Sequence, residues 1–339
     1  MSSIVVDKIA SVTKNAQLGS QLELTSSIVS EEGAIIVVEI LEDKKIYNQL
    51  ELVSGELVVL KKGDVVVVAL GNRKALKGFV GKVPETLAVG DVINILNIGG
   101  VAGICTSENL YEVGPALKVK VLGSTGKNIK DFRLFAPKDT IESSTPVIML
   151  SGTCMNVGKT SVVCEIIKHA SEQKLKIAAA KLAGIAALKD MERMKKCGAH
   201  QVTSFIDAGY TSTVNNGDLS VSVTKGAIDY LAKSKPDYII IELGDGVFGE
   251  YGVMNILQNP EIQKKIIAHI GCAHDLMGAS KLQEECAKIG APIQLVSGPV
   301  SDNSVGIEFI KKNLHLPSIN ALYDGKALFE YAKQLHQRK

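Results

Sequence analysis

Tryptophan is absent from the 339 residues, and aromatic side chains make up only 4% of them. Proteins that hold single-stranded nucleic acid stack its bases on aromatic rings, so this composition argues against such a platform. Neither sign of charge is in excess. Lys and Arg number 38 against 36 Asp and Glu, a net charge of +2, which gives no general pull toward nucleic acid or an anionic membrane. No uninterrupted apolar run approaches the roughly 20 residues that span a bilayer. Met1-Ser2-Ser3-Ile4 has no basic stretch leading into an apolar one, so no signal peptide and a cytoplasmic location are expected. The six cysteines, Cys105, Cys154, Cys164, Cys197, Cys272 and Cys286, form no C-x-x-C pair. They read as reduced thiols rather than a zinc site or a disulfide frame.

What is present describes a globular chain of 46% hydrophobic and 22% charged residues. Its length exceeds one ordinary core and predicts two domains. Residues 1–125 carry short β-rich runs, among them 35–40, 56–60, 65–70, 92–98 and 117–122, separated by turns such as Lys61-Lys62-Gly63-Asp64. That spacing predicts a small barrel or sandwich. Gly99-Gly100 and Gly71-Asn72-Arg73-Lys74 read as ordinary turns before they read as ligand contacts. Residues 126–145 turn polar and read as a linker.

From residue 146 apolar runs alternate with helical stretches. The runs are 147–150, 177–181, 238–242, 266–272 and 293–296; the helices are 160–173, 225–233, 279–289 and 305–313, with a last helix near 324–337. Nearly all-apolar strands alternating with helices predict a doubly wound parallel α/β sheet covered on both faces over 146–339.

The strongest motif is Ser151-Gly152-Thr153-Cys154-Met155-Asn156-Val157-Gly158-Lys159-Thr160-Ser161. It follows a strand and opens a helix, the context a phosphate-binding loop requires. Glycines let successive N–H groups of Gly152, Thr153, Asn156, Val157 and Gly158 turn inward around phosphate oxygens, and the helix N-terminus adds partial positive charge. Lys159 is expected at the β- and γ-phosphates, Thr160 on Mg²⁺, and Ser161 at the α-phosphate. Five residues separate Gly152 from Gly158, where the usual pattern has four.

This form, G-T-x-x-x-x-G-K-T, resembles the loop of dethiobiotin synthetase and of the cobyrinic and cobyric acid amide-forming enzymes. The resemblance covers residues 146–335 and is specific only in the loop. It implies a P-loop fold and an ATP- and Mg²⁺-dependent enzyme that activates a carboxylate or similar acceptor on a small metabolite, as a ligase or by phosphoryl transfer. A homodimer is the default for that branch. The loop is also similar to the G-T-D-C-x-V-G-K loop of the P-loop-containing D-glutamate N-acetyltransferases, without the Asp; there it would cradle the phosphates of acetyl-CoA. A third alternative is a switch or metallochaperone NTPase. The MinD-type members carry a second lysine early in the loop, where Ser151, Gly152 and Thr153 stand here.

Other candidates end the remaining strands, at the edge where open α/β sheets bind ligands. Glu242 and Asp245, in Glu242-Leu243-Gly244-Asp245-Gly246, are candidate Mg²⁺ ligands; the ligase branch has a similar strand ending in E-G-x-G-G. Lys181, costly to leave inside, is expected at the strand end, stabilising γ-phosphate charge; the resemblance places a lysine there in a K-P-x-x-S-G stretch, of which Pro and Ser are missing. Asp190 and Arg193, three apart, share a helical face that is ordinarily solvated; alternatively, since this helix follows the Lys181 strand, an acceptor site lies between them and Arg193 binds a substrate carboxylate. Asp207 opens a Gly- and hydroxyl-rich turn as a second substrate candidate, or caps it. His274 and Asp275 after Cys272 read as structural, since adjacency does not make a dyad. Ser297, Gly298 and Pro299 are candidates for holding the base. No N-K-x-D stretch is present, which favours ATP over GTP.

Overall fold

A computed structural model describes residues 2–337, the Ser2 side chain excepted. Met1 and residues 338–339, the end of the expected second domain, lie outside the described residues. The chain forms two compact units. One contains residues 2–134 with Ile185–Lys189 and Phe205–Val214; the other contains Phe135–Gly184, Asp190–Ser204 and residues 215–337.

The first unit is built on an eight-stranded mixed sheet. Val65–Leu70 pairs with Ala34–Ile40, which pairs with Leu117–Asn128, then Val92–Ile95, then Val101–Glu108. Val101–Glu108 returns to Val65–Leu70 through Val101↔Ala69 and Ala102↔Leu70. Five strands thus close into a small barrel with Ile35–Val38 and Val66–Leu70 fully buried. Closure removes the open edges that a free sheet would expose. The strand ending at Asn128 pairs back to Ala34, so regular structure continues into the stretch whose polarity suggested a linker.

Carboxylates tie two later segments into this unit. Glu51, fully buried, accepts hydrogen bonds from Ser11 Oγ (2.5 Å) and from the backbone N–H of Leu188 (2.6 Å) and Lys189 (2.7 Å). Glu32 accepts from Thr211 Oγ1 at 2.7 Å, and burial raises its pKa. Asp207 is buried against Lys14 Nζ at 2.6 Å and Asn15 Nδ2 at 3.2 Å.

In the second unit, strands β1 (Val147–Gly152), β2 (Ile177–Ala183), β3 (Gln201–Ser204), β4 (Tyr238–Leu243), β5 (Ile266–Cys272) and β6 (Leu295–Ser297) make one sheet. Their order is β3-β2-β4-β1-β5-β6, and every pairing is parallel. The main helices are α1 (Lys159–Glu172), α2 (Lys189–Lys196), α3 (Gly217–Ala232), α4 (Leu276–Lys288) and α5 (Ala321–Gln337). This is a doubly wound parallel α/β architecture. The apolar stripe of α1, Val163, Ile166 and Ile167, packs with Leu328 and Phe329 of α5 over Ile148, Leu150, Ile240 and Ile270 of the sheet. Each such side chain contributes roughly 1.5–3 kcal/mol by leaving water. Because every pairing is parallel, the carboxyl ends of β1, β2, β4 and β5 lie on one edge, where such sheets bind ligands.

One buried polar pair links β1 to β5. Ser151 Oγ lies 2.8 Å from His269 Nε2, and His269 Nδ1 lies 3.0 Å from the Ala291 carbonyl. The carbonyl can only accept, so Nδ1 carries the proton and Nε2 accepts from the serine. Burial pushes the His269 pKa from 6.5 down to about 4. The unfolded chain therefore binds the extra proton first as pH falls. Stability from this neutral histidine is fully present above pH 6.5 and is lost as pH falls toward 4, by about 3 kcal/mol in total. Urea unfolding between pH 7 and 4 is expected to show this loss, and His269→Gln to flatten it. An unchanged slope in the variant would assign the loss to other groups.

Candidate functional site

β1 is buried throughout and ends at Gly152. A Cβ at Gly152 would lie 2.9 Å from the Cys272 carbonyl oxygen and 2.8 Å from Val157 Cγ2, so only glycine fits between the strand end and the loop. Asn156 (φ 64°) and Gly158 (φ 83°) take the left-handed conformation that curls the loop. Val157 buries its side chain in the core, so only its backbone is available to a ligand. Gly158 is the N-cap of α1, and no side chain caps that helix. Its first N–H groups therefore lack the side-chain partner that most helix starts carry, which is the arrangement that receives an anion.

Lys159 is 5% exposed. Its Nζ donates to the carbonyls of Cys154 (2.7 Å) and Asp245 (2.6 Å), and burial lowers its pKa, opposed chiefly by the Glu242 carboxylate. Thr160 Oγ1 donates to Glu242 Oε1 at 3.0 Å and lies 3.4 Å from Asp190 Oδ1. Asp190 Oδ2 forms a close ion pair with Lys181 Nζ. Glu242 sits in register with Leu150 of β1 and Lys181 of β2. It is 2% exposed, and its Oε2 is buried with no hydrogen-bond partner. Burial raises the Glu242 pKa; Lys181 and Lys159 oppose this, and Asp190 adds to it. A buried oxygen of this kind costs roughly 1–3 kcal/mol while it lacks a partner.

Lys159, Thr160, Lys181 and Glu242 thus converge. Asp190 joins them, although its helical spacing suggested a solvated face; it is 7% exposed. Nine positions from Lys181, it had no sequence signal beyond its place at the start of α2. Arg193 on the same helix donates from Nη2 to Ser161 Oγ at 3.3 Å, so it stands beside the phosphate loop rather than apart from it. Asp245 has a left-handed backbone (φ 60°) and offers its carbonyl to Lys159, while its carboxylate lies over Gly249, 2.6 Å from where a Cβ there would sit.

The remaining candidates are placed differently. Asp207 belongs to the first unit with Lys14 and Asn15. Ser297 is fully buried and its Oγ has no hydrogen-bond partner, so its hydroxyl is closed off from a base. Gly298 (φ 92°) presses against the loop: a Cβ there would be 2.6 Å from the Val157 oxygen, and Pro299 Cδ lies 3.7 Å from a Cβ built at Gly158. Asp275 caps α4 by accepting from Gly278 N at 2.8 Å, and burial pushes the Cys272 thiol up to about 12. Neither behaves as part of a nucleophilic pair. All six cysteines are free.

No protein-family model matches the chain, and no curated protein matches it. Solved structures do. The signal recognition particle receptor FtsY from Elizabethkingia anophelis is 14% identical with a TM-score of 0.37, over 53% of this chain and 60% of that one. FtsY from Thermotoga maritima is 17% identical with a TM-score of 0.38, over 56% and 66%. A DUF1611 family protein from Anabaena variabilis is 10% identical with a TM-score of 0.41, over 57% and 58%. The chain therefore spans less than two thirds of each of these structures. Likeness at this level carries no argument about activity and does not show the dethiobiotin synthetase branch. No helix among the described residues is long and apolar enough to cross a membrane.

Proposed function

We propose that the second unit binds a nucleoside triphosphate with Mg²⁺, ATP in preference to GTP, and uses it to activate a carboxylate or similar acceptor on a small metabolite. The observation that carries this is the unpartnered Glu242 Oε2, buried beside the Thr160 hydroxyl and the Asp190 carboxylate. Two carboxylates and a hydroxyl are oxygen donors suited to a hard divalent cation, which keeps waters and phosphate oxygens as its other ligands. Loading acyl-CoA phosphates on the loop would leave these carboxylates without a role.

On this reading the N–H groups at the start of α1 take phosphate oxygens. Lys159 exchanges its two carbonyl partners for β- and γ-phosphate oxygens. Thr160 and Glu242 hold Mg²⁺, with Asp190 next to them. The cation, when bound, neutralises charge on the β- and γ-phosphates. Lys181 supplies positive charge at the γ-phosphate, where charge develops during transfer. Arg193 at Ser161 fits the α-phosphate better than an acceptor carboxylate. Backbone at Gly298 and Pro299 borders the base. A switch NTPase would use the same groups with water as the acceptor.

Titration calorimetry with ATP, GTP and acetyl-CoA, with and without Mg²⁺, tests this on wild type and Lys159→Ala. Mg²⁺-dependent ATP binding is expected, weakened about 10- to 100-fold in the variant by loss of charge-assisted hydrogen bonds. Binding of acetyl-CoA but of neither triphosphate would sink the proposal.

A further inference from the structure

Beside the phosphate loop lies a small hollow open to solvent, lined mostly by apolar surface. Thr153 of the loop lines it. One wall is Val247 and Phe248, from the segment that follows β4. The other wall is one face of α4: Gly278, Lys281, Leu282 and Glu285 stand at i, i+3, i+4 and i+7. Phe248 is 67% exposed, a large apolar side chain standing in water at the edge of an apolar hollow. Lys281 Nζ is matched by Glu285 Oε1 at 2.8 Å and Glu284 Oε1 at 3.1 Å. The mouth therefore offers no uncompensated charge, and the interior offers hydrophobic contact. Gly278 keeps the hollow open: even a single Cβ there would come within 3.2 Å of Thr153 Cγ2.

We infer that this cavity is the acceptor site, and that it takes a small carboxylic acid with an apolar body, its carboxylate reaching the γ-phosphate past Thr153. The inference rests on the triphosphate reading above, because Thr153 belongs to both the cavity and the loop. The step it implies is balanced. A carboxylate oxygen bonds to the γ-phosphorus, the bond from that phosphorus to the β,γ-bridging oxygen breaks, and its electron pair leaves with ADP. The product is an acyl phosphate, and no proton moves.

The chain has no tryptophan, so Phe248→Trp provides a single tryptophan at the cavity wall, which can be excited selectively over the tyrosines. Titration of that variant with hexanoate, octanoate and decanoate, without nucleotide, is expected to give a saturable emission change. Adding Gly278→Leu is expected to weaken it about tenfold or more, the equivalent of about 1.4 kcal/mol, with Mg·ATP affinity unchanged. As a second route, wild type with octanoate, Mg·ATP and hydroxylamine is expected to form octanoyl hydroxamate, and Phe248→Ala, at an exposed position, to raise KM for octanoate but not for ATP. No saturable change with any of the acids, equal binding in the Gly278→Leu variant, or acid binding without hydroxamate would each overturn the assignment. Absence of Mg·ATP binding in wild type is a separate failure, that of the triphosphate reading, and leaves the fluorescence titration to decide the cavity.

Discussion

Glu242→Gln is expected to remove Mg²⁺-stimulated ATP turnover by about 10²- to 10³-fold, the usual cost of losing one electrostatic contact to a transferring group, while the protein melts no lower than wild type. The two halves of this result have one cause. Glu242 is a carboxylate held out of water with one oxygen unpartnered, and burial raises its pKa. Keeping it charged is unfavourable for the fold, since desolvated charge is stabilised only by adequate pairing. Glutamine keeps the shape and can still accept from Thr160, but it is a neutral and much weaker partner for Mg²⁺. A residue that weakens the fold at a strand end is the pattern of stability exchanged for function. The measurement is steady-state ADP release against Mg²⁺ concentration, beside a thermal melt. Wild-type Mg²⁺ dependence in the variant would remove Glu242 from the site. A lowered melting temperature would instead make its hydrogen bond with Thr160 a structural one.

Gly246→Ala is expected to be damaging to both fold and turnover. A Cβ at Gly246 would stand 2.1 Å from the Thr153 oxygen and 2.7 Å from its carbonyl carbon, and backbone cannot swing aside as a side chain can. The segment after β4 must then lift from the phosphate loop, against the hydrogen bond from Val247 N to the Gly152 oxygen at 2.9 Å. Overpacking of this kind costs about 1–3 kcal/mol, several degrees of melting temperature in a domain of this size. Displacing the loop by an ångström would lower turnover by about 10²-fold. Gly19→Ala, where nothing lies within 4 Å of the new Cβ, serves as the neutral control. If Gly246→Ala matches that control, the two loops are not held together as tightly as their spacing implies.

How far the sequence foretold this molecule depends on what each element touches. β1, β2, β4 and β5 were legible because both faces are covered, which makes their runs almost wholly apolar. β3, Gln201-Val202-Thr203-Ser204, was not, because an edge strand paired only with β2 need not be apolar. α3 starts at Gly217 behind an Asn216 cap, eight residues ahead of the periodicity seen from Lys225. Its first turn, Gly217-Asp218-Leu219-Ser220, is too polar to show a stripe. The phosphate loop was legible because its chemistry is contiguous in the chain. Asp190 was not, since its burial between Lys181 and Thr160 depends on residues 9 and 30 positions away. The same holds for Asp207, whose partners Lys14 and Asn15 lie nearly 200 positions earlier, and for the carbonyl partners of Lys159, which carry no residue-type signal at all.

The order in which a ribosome delivers the chain gives the carboxylates of the first unit another meaning. Glu51 is made long before Leu188 and Lys189, and Glu32 long before Thr211. Until those later segments emerge, Glu51 lacks two of its backbone donors and Glu32 lacks the Thr211 hydroxyl. The barrel strands therefore precede these segments in synthesis but gain their last contacts only with them. Its closing contacts wait on residues that arrive only after β1 and α1 have been made.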